Sequence, residues 1–172
     1  GTHSALSHWG GMSEVRNHTD LLELCLWDLA DGTRRIATSL PCILERVGNE
    51  PLRLSLERLR DEVRSRCEDY SNWSRSREAP NNLWVTGLLE DALRDLQTLP
   101  PGLLLDIAII GSTRKMLSAE IASIETALAL ARELGDWRIE SIARTYDRCV
   151  ERDRALRDLL LSFAAITSPR VT

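Results

Sequence analysis

The sequence predicts an all-α fold, a four-helix bundle with one additional short helix. Three observations predict it. Apolar residues recur at spacings of three and four along most of the 172 residues, no segment alternates with period two, and glycine (9) and proline (6) are too few for a turn-rich β fold.

The first stripe begins after Thr19 and runs Leu22, Leu26, Leu29, Thr33, Ile36 and Leu40, the narrow face of a helix packed in a bundle. Pro41 lacks an N–H, so a kink or local break is expected there. Gly48 closes the segment before Asn49-Glu50-Pro51 opens the next. The second stripe is Leu52, Leu56, Leu59, Val63, Arg66, Tyr70 and Trp73, with an arginine among its apolar members. A polar loop from Ser74 to Asn82 leads into a short helix carrying Val85, Leu88, Leu89, Ala92, Leu93 and Leu96, which Pro100-Pro101-Gly102 ends. The next helix, from about Leu103 to Leu134, is apolar around much of its circumference, as a central helix should be, and Gly135 supplies its stop. The last stripe is Ile139, Ile142, Tyr146, Cys149, Asp153, Leu156, Leu160 and Phe163, and a frayed tail is expected from Ser168-Pro169. The organisation expected is a flexible arm over 1–17, one bundle over 18–166 and a tail over 167–172. Met12 is expected to be the natural start, residues 1–11 being an added stretch with no secretory character.

A formal charge of −4 gives no large field of one sign, so neither nucleic acid nor an anionic membrane is an expected partner. The longest apolar run, Leu103 to Ile110, is interrupted by Asp106 and is far too short to span a bilayer. The Arg-rich segments Arg58 to Arg66 and Arg144 to Arg157 are interleaved with Asp and Glu and read as solvated helix faces. Cys25, Cys42, Cys67 and Cys149 form no C-x-x-C and have no histidines at zinc-finger spacing, so they read as reduced thiols of a cytoplasmic protein. Thiolate catalysis needs a base, and no histidine falls in the helical core: His3 and His8 lie in the arm and His18 at the start of the first helix.

Polar groups at core-facing positions cost free energy unless paired. Thr33, Arg66 and Asp153 occupy stripe positions, with Glu62 and Glu120 close by, so any site should involve these residues.

Four segments stand out: Leu26-Trp27-Asp28-Leu29-Ala30-Asp31-Gly32-Thr33-Arg34-Arg35, Leu59-Arg60-Asp61-Glu62, Thr86-Gly87-Leu88-Leu89-Glu90-Asp91 and, most specific, Arg114-Lys115-Met116-Leu117-Ser118-Ala119-Glu120-Ile121-Ala122-Ser123. On these the chain resembles, from about Leu21 to Ala164, the YciE/YciF-like family of ferritin-like, stress-associated proteins. Such bundles set carboxylates and histidines on facing helices to hold two iron or manganese ions. Here the pattern departs repeatedly. The family's ligand positions fall on Thr33, Leu59, Thr86, Leu117-Ser118 and Arg148-Cys149, while Glu62, Glu90 and Glu120 persist. Glutamine positions of the family are occupied by Arg66 and Arg114.

The resemblance with these departures implies a metal-free bundle without a cofactor or catalytic residue. Arg66 and Arg114 are expected to pair with Glu62 or Glu120, supplying the positive charge the ions would supply. A core polar cluster of Thr33, Glu62, Arg66, Arg114, Glu120 and Cys149 is expected at the family's metal position. The function expected is a non-enzymatic interaction or scaffold protein, stress-associated by analogy and homodimeric, with an unidentified protein partner. Trp27, off its helix's stripe, and Trp84 and Trp137, near helix ends, suit contact surfaces or local packing under loops. The alternative is a di-iron or di-manganese protein with a reduced ligand set of Glu62, Glu90 and Glu120, drawing also on Asp147, Asp153 and Cys149.

Overall fold

The computed structural model describes residues 15–74 and 82–167, the last four of these as backbone only. The expected arm and tail, apart from the stretch from Val15 to the first helix and Thr167, and most of the polar loop fall outside the described residues.

Five helices form: α1 (His18–Leu44), α2 (Glu50–Trp73), α3 (Leu83–Thr98), α4 (Leu103–Leu134) and α5 (Ile139–Thr167). Three of them start in the same way. The side chains of Asn17, Asn49 and Asn82 accept from the backbone N–H of Asp20, Leu52 and Val85 at 2.9, 3.0 and 3.0 Å, satisfying donors that a helix leaves open. Pro51 follows in the first turn of α2, where its missing N–H costs nothing. Gly135 ends α4 in the left-handed region at φ +60°, and the N–H of Asp136 donates back to the carbonyl of Ala131 at 2.9 Å. Pro41 neither breaks nor ends α1, which continues to Leu44. It lies one turn from the end, so only one helical hydrogen bond is forgone.

Two contacts fix the directions of the helices. Buried Asp106, in the first turn of α4, accepts from the N–H groups of Gly48 and Asn49 at 2.9 and 3.0 Å, so α4 starts beside the α1–α2 turn. Arg138, 2% exposed, donates to Glu23, to the Trp73 carbonyl and to Asp136, so the α4–α5 turn sits at the opposite end, against the start of α1 and the end of α2. Thus α2 and α4 run parallel to each other and antiparallel to α1 and α5. The packed pairs are α1 with α2 and α4, and α5 with α4 and α2, so α2 and α4 face one another along a diagonal. The short α3 packs on α1 and α4 and makes the crossover between the two parallel helices.

The core is in two parts. One apolar cluster gathers Leu40, Leu52, Leu56, Leu59, Ile110 and Leu156 toward the α1–α2 turn, and the other gathers Leu22, Leu26, Leu29, Ile124, Ala131 and Ile142 toward the α4–α5 turn. Between them lies a belt of polar side chains.

Candidate functional site

At the centre of that belt Arg66 of α2 meets Glu120 of α4. Arg66 is 4% exposed and Glu120 1%, and each faces the core because it lies in register with its helix's apolar stripe. The guanidinium Nε lies 3.1 and 3.0 Å from the two carboxylate oxygens, and Nη2 donates to Oε1 at 2.9 Å. This fork geometry suits a buried pair, because two aligned charge-assisted bonds offset desolvation better than one.

Two further groups converge on Oε2 of Glu120. The Tyr70 hydroxyl donates at 3.3 Å, and the Cys149 thiol lies at 3.8 Å. Burial, then the Glu120 charge, pushes the Tyr70 hydroxyl well above its ordinary range, and the same two causes raise the Cys149 thiol. Both groups stay protonated donors. Burial pulls the Arg66 pKa down, but the charge of Glu120, the Cys149 and Tyr70 groups and the hydrogen bonds to Glu120 together outweigh it and the net shift is upward, so the guanidinium is a fixed cation.

The other expected members lie around this centre in different roles. Thr33 is fully buried, but its hydroxyl donates to the carbonyl of Leu29 at 2.7 Å, within its own helix. Glu62 takes a bidentate contact from Arg152 at 2.5 and 3.2 Å, and its Oε2 stands 4.0 Å from Arg66 Nη1. Arg114 does not reach Glu62 or Glu120, contrary to expectation. It binds Asp153 through Nε and Nη2 at 2.9 and 3.2 Å, on the seam between α4 and α5. Six residues separate Arg114 from Glu120, which is about 240° around a helix and 9 Å along it, so the two point to different sides. Arg152, expected on a solvated face, is instead mostly buried against Glu62.

Tyr70 was readable from the sequence only as a stripe member, because nothing local distinguishes a core tyrosine with a carboxylate partner. Asp31 and Asn82 form a second polar junction that periodicity did not single out. Buried Asp31 accepts from the Asn82 N–H at 2.8 Å, and the Asn82 side chain donates to the Asp28 carbonyl at 2.8 Å. Trp84 donates its indole N–H to Asp28 at 3.0 Å, so it packs locally on α1. Trp27 packs against the cluster near the α4–α5 turn, whereas Trp137 is 68% exposed.

A di-metal centre needs acids whose oxygens converge on a shared point. Glu62, Glu90 and Glu120 do not converge: Glu62 is turned to Arg152, Glu90 is exposed on α3, and both oxygens of Glu120 face Arg66. Of the other acids, Asp153 is held by Arg114 and Asp147 is exposed. The residues present therefore do not fit a metal pair, because a cation that cannot be deprotonated already occupies the carboxylate that would bridge it.

No protein-family model and no curated protein sequence matches the chain. Solved structures do. The stress protein YciF of E. coli superposes with a TM-score of 0.82 over 88% of this chain and 99% of its own, at 20% identity. YcfI of Rhodopseudomonas palustris, proposed to be a structural protein, superposes with a TM-score of 0.72 over 86% of this chain and 94% of its own, at 23% identity. Identities this low speak to the fold alone: this chain is an all-α helical bundle that shares the fold of these two structures.

Proposed function

We propose that this chain is a metal-free ferritin-like bundle that acts as a non-enzymatic interaction or scaffold protein, homodimeric as the family resemblance implies and stress-associated by analogy with the E. coli stress protein YciF. The observation that carries this reading is the bidentate Arg66–Glu120 pair in the middle of the bundle. A guanidinium there provides the positive charge that ions provide in di-metal bundles, and it repels any ion that would compete for Glu120. Two neighbouring ligand positions of the family carry buried Leu59 and Leu117, which offer no donor atoms and favour an apolar filling.

What remains for function is the surface. A groove of about 790 Å³ runs between α3 and α4, floored by Gly87, Gly111 and Ala119 and flanked by Leu83, Trp84 and Leu88. Its lining is mostly apolar but includes Arg114, Lys115 and Ser118 of α4, and no lining residue is a carboxylate, histidine or cysteine, so it suits contact with another protein better than chemistry. The free thiols fit a reducing, cytoplasmic setting.

The test is elemental analysis of natively purified protein before and after incubation with ferrous iron or manganese, with molar mass from light scattering. No bound metal together with a dimer is the expected result. About two ions per chain, lost when Glu62, Glu90 or Glu120 is replaced by Ala, would restore the di-metal reading, and a metal-free monomer would remove the dimer.

A further inference from the structure

Arg66 spends only part of its donor capacity on Glu120. Its Nη1 is buried and has no hydrogen-bond acceptor among the described residues. Glu62 Oε2, at 4.0 Å, is within Coulombic reach but beyond hydrogen-bond distance. A charged donor left open in a low-dielectric interior is more costly than an open hydroxyl, so this atom demands a partner.

Arg66 also lines a small cavity, with Leu59, Met116 and Leu117 on its apolar sides and Thr113 and Glu120 on its other polar ones. A water-sized sphere finds about 10 Å³ there, the space of one water molecule. The chemistry of the polar walls narrows the occupant. Arg66 can only donate. The Thr113 hydroxyl spends its hydrogen on the Ile109 carbonyl at 2.7 Å, so it offers lone pairs alone. An occupant must therefore accept from Arg66 and donate to Thr113. A halide or a carboxylate oxygen accepts only, and it would also face the Glu120 charge; an ammonium donates only and would face the guanidinium.

We propose that this cavity is a binding site for a single ordered water, accepting from Arg66 Nη1 and donating to Thr113 Oγ1. The water gives the one guanidinium nitrogen of Arg66 that lacks an acceptor among the described residues a partner without adding charge. That leaves Glu62 committed to Arg152 and keeps the central ion pair at one cation to one carboxylate. The inference rests on the metal-free reading of the centre, since an ion on Glu120 would displace the guanidinium.

Crystals of the full chain, diffracting well enough to order internal waters, test it. One density peak within hydrogen-bond distance of both Nη1 and Thr113 Oγ1 is expected, and it should vanish in crystals of Thr113→Val, which keeps the shape and removes the acceptor. Three results would overturn the site: an empty cavity, a Glu62 carboxylate swung onto Nη1, or a peak that persists in Thr113→Val. Anomalous signal at the peak after a bromide soak would identify a halide and overturn it as well. Metal density on Glu120 with Arg66 displaced would count against the metal-free function itself, and so is distinguishable from failure of the water site alone.

Discussion

Arg66 and Glu120 join α2 to α4 across the diagonal of the bundle, where no backbone contact links the two helices strongly. A buried ion pair of this kind is poor evidence for net stability, because desolvating both charges costs about what their attraction returns. Removing one partner is another matter. Arg66→Ala should destabilise the fold by about 3 kcal/mol or more by leaving Glu120 charged and unpaired, and Glu120→Ala should do the same for Arg66. Replacing both together, as Arg66→Met with Glu120→Leu, should recover most of the loss. Urea denaturation of the single and double variants measures this, and additive losses in the double variant would show that the two residues do not act as a pair.

Alkaline pH should destabilise the chain before it ionises the folded core. Cys149 and Tyr70 are raised above their ordinary values of 9.0 and 10.0 by burial and then by Glu120, and burial with the Asp28 charge pushes Cys25 up to about 11. A group with a raised folded pKa contributes stability that is complete below its unfolded pKa. Above that value the unfolded chain releases its proton while the folded chain holds it, so stability declines. The urea midpoint should therefore start to fall above about pH 9, where the unfolded thiols titrate. Cys149→Ala should flatten the decline between pH 9 and 10, and an unchanged slope would mean that another group is responsible.

Thiol reactivity offers a separate check on the same core. Cys42 is exposed whereas Cys149 is buried and held as a neutral thiol. At pH 8 a maleimide or disulfide reagent should label Cys42 quickly in the native protein, and Cys149 only on unfolding. Rapid native labelling of Cys149, read by peptide mass, would contradict its burial beside Glu120.

The helices were legible because their information is local: stripes at three and four, the Asn49-Glu50-Pro51 start, Gly135 and the Pro-rich stop before α4. Arg66 and Glu120 were legible for a related reason, since a charge among core positions demands a partner even before the partner is known. Which partner was not legible. Pairing Arg114 with Asp153 and Glu62 with Arg152 depends on the rotation of α4 and α5 about their axes, and a one-sequence reading fixes that only to within a residue or so. Arg138 escaped notice altogether, because a turn arginine after Gly135 resembles any surface cation. Its burial comes from three chain segments meeting at one end of the bundle.

That convergence makes Arg138 the strongest single tie at the α4–α5 end. It donates to Glu23 at 3.1 Å, to the Trp73 carbonyl at 2.5 Å and to both Asp136 oxygens at 2.8 Å. Arg138→Ala should cost about 3–5 kcal/mol, the range for breaking a buried, hydrogen-bonded charge network. Arg138→Lys should recover little, since an ammonium has no planar fork with which to reach three acceptors. Hydrogen exchange in the first turns of α1 and the last turns of α2 should accelerate in both variants, and protection that stays unchanged there would show that the tie is not structural.

Gly32 carries the last prediction, because two effects of opposite sign meet there. Glycine inside a helix is worse than alanine by about 1 kcal/mol, so Gly32→Ala should stabilise if space allowed. It does not allow it. A Cβ on Gly32 would stand 2.5 Å from Asn82 Nδ2 and 3.0 Å from two ring atoms of Trp84. Neither side chain is free to swing away. Asn82 caps α3 and donates to the Asp28 carbonyl, and the Trp84 indole is held by the Asp28 carboxylate. Overpacking of this sort costs about 1–3 kcal/mol, so the clash should win and Gly32→Ala should lower the melting temperature. Gly111→Ala makes the control, since nothing lies within 4 Å of its would-be Cβ, and it should be neutral or slightly stabilising. If both alanines raised the melting temperature alike, the close docking of α3 on α1 at Gly32 would be wrong.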